Sequence, residues 1–348
     1  MIASFMPTKE LLWSKGKVQA ALHARAAEVA HAQFGRRVFL RGVVEVSNHC
    51  RENCVYCGMR RENRDLTRFR ARHDELAELL VHHRPTSITD VNIQSGEDPV
   101  VVREVVLPLI KTLRSETPLG VSVCLGTLKP ELYGELQAAG ASIYIIKFEI
   151  GDPRHYAQMK APGTYQERIE HIRHLSANGW RVSSGFISGL PGQTEQELLA
   201  NFELAHELPL DGCSVSPFIP GDETPLAKAP VGDVDLTLNC MAALRLMRPD
   251  WVIPAVSALN LAGEPETGYR RGLRTGASLV TINLTPEELR EDYLLYKRDR
   301  FIMTEERILT AIASERLTPS QQSLADYYRA SATVNGRPML AATEAATV

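Results

Sequence analysis

From Arg41 onward, short apolar, β-branched runs alternate with longer helical patterns, the sequence form of repeated βα units that build a parallel sheet. The runs are Gly42–Ser47, Ser87–Gln94, Gly120–Leu125, Ser142–Phe148, Arg181–Ile187, Cys213–Phe218, Trp251–Ser257 and Ala277–Asn283. Eight strands over roughly 240 residues predict an α/β fold, a (β/α)8 TIM-type barrel that is complete or nearly complete. An open doubly wound sheet is the alternative.

Local signals agree with that plan. Thr164 with Glu167, Thr194 with Glu197, and Thr285-Pro286 with Glu288 each match a capping box, in which two side chains satisfy orphan backbone donors at a helix start. Thr8 to Phe34 is rich in Ala, Leu, Lys and Glu and predicts one or two covering helices. Thr304–Ser314 and Pro319–Ala330 predict helices after the barrel, and the Ala/Thr-rich stretch Ser331–Val348 predicts a frayed tail. The expected division is an N-terminal helical cap (1–40), a barrel (41–300) and a C-terminal helical extension (301–348).

A chain of 348 residues, 44% hydrophobic and 23% charged, can bury a substantial core. The net charge of −3 argues against a broad electropositive surface for nucleic acid. The basic run Arg60, Arg61, Arg64, Arg68, Arg70 and Arg72 is broken by Glu62 and Asp65 and is read as a solvated loop face, with partner docking as the sharper alternative. No apolar run approaches the ~20 residues of a membrane span, and the start has no secretory pattern, so a cytoplasmic protein is expected. Six cysteines, three of them within eight positions, suggest a metal site in a reducing compartment.

Those three are Cys50, Cys54 and Cys57 in CxxxCxxC spacing, directly after the first predicted strand, where a barrel's catalytic loops begin. Three thiolates can hold three irons of a 4Fe-4S cube and leave the fourth open. A zinc knuckle or three buried cysteines are the alternatives. Structural zinc usually takes a fourth ligand at knuckle spacing, and His49 is badly placed to supply it.

The motif, with Tyr56 before its third cysteine, resembles the radical S-adenosylmethionine (SAM) superfamily. The run Val44 to Arg61 resembles the group that contains biotin synthase, methylornithine synthase and the FeFe-hydrogenase maturase HydE, and Ser188 to Thr194, Pro217 to Pro220 and Asp222 to Pro225 look most like the maturase. The resemblance implies a 4Fe-4S cluster on Cys50, Cys54 and Cys57 and reductive cleavage of SAM to a 5′-deoxyadenosyl radical. The radical would act on a small substrate, with flavodoxin or ferredoxin as electron donor. Ser95-Gly96-Glu97 matches the family turn that contacts the SAM amino group, with Ser in place of its first Gly. Glu149 matches a ribose or amino contact, and Arg168 the arginine facing the SAM carboxylate. Ile187 and Gly189 match the segment packed on the adenine. A turn acid, a solvated arginine and a core isoleucine are the plainer readings of Glu97, Arg168 and Ile187.

Biotin synthase needs three further cluster cysteines, of which only Cys124 is matched; Gln94 and Ser183 stand at the other places. Methylornithine synthase, a mutase, has acidic residues where Ala258 and Asn260 stand. The maturase fits best, and Cys124, Lys147, Ser183, Ser257 and Thr281 are expected to face one weakly cationic substrate pocket. A non-catalytic iron-sulfur assembly module is the alternative from a different class. Cys213 and Cys240 are expected in the core.

Overall fold

The computed structural model describes residues 5–264, 266–298 and 301–335. Strands form where the apolar runs lie: β1 (Arg37–Ser47), β2 (Asp90–Ser95), β3 (Gly120–Cys124), β4 (Ile143–Ile145), β5 (Arg181–Ser188), β6 (Gly212–Pro217) and β7 (Leu279–Asn283). They make one parallel sheet in the order β6-β5-β4-β3-β2-β1-β7. The first strand begins four residues before Arg41, because Phe39 and Leu40 pair with Leu279 and Val280 of β7.

One expected strand is reduced. Segment 251–257 forms no ladder; it touches β6 through a single parallel bridge, Gly212 to Val252, and β7 through another, Pro254 to Leu279. Pro254 has no N–H to give a continuing ladder. The flanking groups still bond, with Ala255 N donating to Leu279 O and Ser278 N to Ile253 O, both at 2.8 Å. The TIM-type arrangement thus rests on seven strands and one bridged segment.

Helices alternate with the strands. Leu76 and Leu80, Leu109 and Leu113, Ile169 and Ile172, and Leu198 and Phe202 recur at helical spacing, and all join the strand residues in one buried cluster. Helices Tyr165–Ala177 and Glu195–Glu207 start with both arms of the predicted capping boxes at Thr164 and Thr194 in place. The third box does not form. The Thr285 hydroxyl instead accepts the Glu45 backbone N–H at 3.0 Å, so the short helix Glu287–Arg290 starts at Pro286 without a side-chain cap.

The N-terminal helices are Lys9–Leu12 and Gly16–Phe34, and Leu22 and Ala26 of the second pack on Ala242. After the barrel, helix Glu305–Ser314 is followed by a two-residue strand, β8 (Thr318–Pro319), which pairs with Arg37 and Val38. Helix Leu324–Asn335 comes last, and its first N–H donates to both carboxylate oxygens of Asp90 at 3.0 and 2.9 Å. Residues 336–348, most of the predicted tail, lie outside the described residues. No helix among the described residues is long and apolar enough to cross a membrane.

Candidate active site

β1 ends at Ser47, and the next residues carry the three cysteines across the ends of the neighbouring strands. The loop is held by backbone bonds to the turn after β2: Gly96 N donates to Ser47 O at 3.0 Å and Arg51 N to Glu97 O at 3.2 Å. Glu97 N points at Cys50 Sγ at 3.4 Å. Gly96 has to be glycine, because a Cβ there would lie 2.3 Å from the His49 carbonyl oxygen and 2.9 Å from Cys50 Cβ. The Ser95 hydroxyl donates to Gly96 O at 2.6 Å, so the serine completes the turn without altering this contact.

The residues singled out in the sequence meet around two cavities. The outer one is lined by Cys50, Cys54, Cys57, Tyr56, Ser95, Gly96, Glu97, Glu149, Arg168 and Ile187. The inner one is lined by Cys124, Lys147, Ser183, Ser257 and Thr281. Gln94, Cys124, Lys147, Ser216 and Tyr296 belong to both walls. Gly189 lines neither; it holds a φ of 75°, and its N–H donates to Gln193 Oε1 at 2.8 Å.

Charge in the outer cavity is organised around Glu97. Its carboxylate accepts from Arg168 at 3.0 Å, from Arg51 Nε at 3.1 Å and from the Thr127 hydroxyl at 3.0 Å. Arg168 points inward and is 3% exposed. Glu149 sits just past β4 with φ 62°, a left-handed conformation that costs a non-glycine residue about 1 kcal/mol or more. Burial works against the Lys147 ammonium, but Glu149 favours it and the net shift is upward. Lys147 is therefore a cation, and its Nζ lies 3.3 Å from Ser216 Oγ.

Burial also pushes the three thiols up: Cys50 moderately, Cys54 well above the usual range and Cys57 to about 12. Mutual repulsion of the three adds to the shift of Cys54. Among the described residues, Tyr56 Oη and Arg168 Nε are buried without a hydrogen-bond partner, which is costly unless a ligand completes them.

Comparison with known proteins decides what this arrangement belongs to. The radical SAM superfamily model matches residues 44–205. The chain is 33% identical over 276 residues to the [FeFe] hydrogenase maturase subunit HydE of Thermotoga maritima, covering 79% of this chain and 78% of that one. The chain belongs to the radical SAM superfamily. It is also 25% identical to the 3-methylornithine synthase of Methanosarcina acetivorans, over 80% of this chain and 78% of that one. The crystal structure of a methylornithine synthase superposes with a TM-score of 0.81 at 23% identity, over 93% of this chain and 97% of that one, and agrees with the TIM-type fold.

As a radical SAM enzyme it uses a 4Fe-4S cluster and SAM. The residues present fit that pair. Three desolvated thiols suit a cube that binds three thiolates and leaves one iron open, and the unsatisfied Tyr56 and Arg168 donors suit a polar ligand beside it.

Sequence reasoning missed several residues of this radical SAM barrel. Arg41 and Glu45 line the inner cavity, and Gln94 Nε2 donates to Glu45 Oε1 at 3.3 Å. The signal was present: Arg41, Val43 and Glu45 alternate along β1, and period two places them on one face. The basic run was read as solvated, but Arg70 makes a two-pronged ion pair with Asp98 at 2.6 and 3.0 Å, and Arg68 is committed to backbone carbonyls. Arg61, Arg64, Arg72 and, despite its ion pair, Arg70 are exposed, as expected.

Proposed function

We propose that Cys50, Cys54 and Cys57 would ligate the cluster, and that SAM would occupy the rest of the outer cavity beside its open iron. The observation that carries this reading is the single wall on which all three thiols stand with Tyr56, Ser95, Gly96, Glu97, Glu149, Arg168 and Ile187. Held by these residues, the cluster and SAM would supply one-electron reductive cleavage of the sulfonium's C5′–S bond, to methionine and a 5′-deoxyadenosyl radical.

The chain's own residues orient the cofactor. SAM's amino-acid end offers N–H donors and a carboxylate, and the Glu97–Arg168 pair suits both: Glu97 would accept from the amino group and Arg168 would donate to the carboxylate. Glu149 faces the ribose or amino group. Tyr56 and Ile187, with Gly189 shaping the turn behind them, bound the nucleoside side and exclude water.

The substrate sits in the inner cavity against Cys124, Lys147, Ser183, Ser257 and Thr281. Two basic side chains, Lys147 and Arg41, against one carboxylate, Glu45, on a wall with several hydroxyls favour a small anionic or amino-acid-derived molecule, and the maturase relative favours HydE-like chemistry. A methylornithine-synthase-like mutase has less support: Asn260 lines the cavity but its carbonyl oxygen accepts from Tyr269 N at 3.2 Å, and neutral Ala258 and Asn260 are poor partners for a substrate ammonium. Flavodoxin or ferredoxin would donate the electron in the cytoplasm. The division into cap (1–40), barrel (41–300) and extension (301–348) belongs to the same proposal.

The test is anaerobic. Protein reconstituted with iron and sulfide receives SAM and dithionite, and methionine and 5′-deoxyadenosine are quantified against a variant with all three motif cysteines changed to Ala. Product from the wild type alone is the expected result. A fully loaded protein that neither binds SAM nor forms product would instead be a binding module.

A further inference from the structure

Arg68 lies eleven residues beyond the last motif cysteine, in a run whose charges suggested only a solvated loop. Its side chain is only partly exposed, and its guanidinium is used on the protein. Nη1 donates to Asn48 O at 2.6 Å and to Met59 O at 2.9 Å, and Nη2 to Arg60 O at 2.8 Å and to Asn63 O at 3.1 Å. Asn48 stands two residues before Cys50, and Met59 two residues after Cys57. One side chain therefore ties both flanks of the cysteine motif together.

The neighbours of this clamp are themselves fixed. Asn48 Nδ2 donates to Thr67 O and Asp292 O, both at 2.7 Å, and Asn63 Nδ2 donates to Gly58 O at 2.7 Å. No carboxylate takes a hydrogen bond from Arg68 among the described residues; all four acceptors are carbonyls. Its charge is consequently not cancelled by a salt bridge. The groups that interact with it electrostatically include the Cys50 and Cys57 thiols and His49, the residue beside Cys50. Arg51, by contrast, spends its charge on Glu97.

We propose that Arg68 is a positioning residue for the cluster, which closes the cysteine loop and holds an uncompensated positive charge beside it that favours the reduced state. The inference rests on the assignment of the cluster to Cys50, Cys54 and Cys57. Reduction adds one negative charge to the cube, and a fixed cation in a poorly solvated site stabilises the more negative form. The electron comes from the external one-electron donor. An arginine suits both tasks, because its rigid fork supplies several donors and it stays charged at any working pH.

The test compares wild type with Arg68→Gln, which keeps donors without charge, and Arg68→Lys, which keeps charge with a different donor geometry. Iron and sulfide content are measured first, and each protein is then titrated by electron paramagnetic resonance for its midpoint potential. Arg68→Gln is expected to make reduction about tenfold less favourable, about 59 mV lower for one electron, while Arg68→Lys stays near wild type. A loaded Arg68→Gln protein at the wild-type potential overturns the proposal. If Arg68→Gln takes up no cluster, Arg68→Lys decides: uptake at the wild-type potential supports the proposal, and no uptake, or uptake at a lowered potential, overturns it. A wild type that itself holds no 4Fe-4S cluster overturns instead the assignment on which the inference rests.

Discussion

Glu97 and Arg168 are partners of unequal dependence. Glu97 keeps Arg51 and Thr127 when Arg168 is removed, whereas Arg168, buried to 3% exposure, has Glu97 as its hydrogen-bonded anion. Glu97→Gln should therefore cost the protein about 3 kcal/mol of stability, the scale of a stranded buried charge, and Arg168→Met less. The double variant should cost less than the two single costs combined. Thermal or urea unfolding of the cluster-free proteins measures all three. In loaded protein, Glu97→Gln should also weaken SAM binding about tenfold to a hundredfold, the worth of one charge-assisted hydrogen bond, in a binding titration. Glu149 offers a cleaner separation of fold and function. At φ 62°, Glu149→Gly relieves backbone strain but removes the anion that favours the Lys147 ammonium, so the two effects offset and stability should stay within about 1 kcal/mol of wild type while SAM binding falls. A variant that unfolds readily would contradict this.

Elements of the barrel were legible in proportion to how far local chemistry decides them. Thr164 and Thr194 cap their helices with partners only three residues away, Glu167 and Glu197. Thr285 carries the same pattern, but it stands where β1 presents the Glu45 N–H, and tertiary contact takes the hydroxyl. Segment 251–257 reads as a strand by composition and is kept from a full ladder at Pro254. The cysteine loop was readable from spacing alone, yet its support was not, since Arg68 looks like any surface arginine until Asn48 and Met59 are brought to it. Arg41 and Glu45 were visible as a period-two pattern, but charged residues in a strand are usually assigned to the solvent face. The turn after β2 yields a direct test. Gly96→Ala places a methyl group against the His49 carbonyl and Cys50 Cβ, an overpacking that should cost about 1–3 kcal/mol and reduce iron content after reconstitution. Full iron loading at unchanged stability would show the loop to be softer than the contacts indicate.

At the scale of the molecule, the extension after the barrel is tied to it through a buried acid. Asp90 is 1% exposed, and burial lifts its carboxyl from the ordinary 3.8 to about 6, against the Leu324 N–H and Thr89 hydroxyl, which favour its charge. For an acid with a raised folded-state pKa, the unfolded chain loses its proton first. Stability should accordingly fall as pH rises from about 4 to about 6 and stay level above that. At 1.36 kcal/mol per unit, the interval from 3.8 to about 6 corresponds to about 3 kcal/mol. Asp90→Asn has no proton to lose, so the difference between wild type and variant, followed by urea unfolding across pH 3.5–7, should trace this curve. A difference that is flat with pH would remove Asp90 as its source.

β1 is paired with β2 on one side and β7 on the other, and its first residues also pair with the two residues of β8, while Leu324 and Tyr328 line the inner cavity. During synthesis the first strand is therefore made long before its second neighbour exists, and the inner cavity lacks part of its lining until residue 328 has left the ribosome. Such sequence-distant pairing slows folding, and it means that a truncated or stalled chain can present the cysteine motif without a finished chamber beneath it.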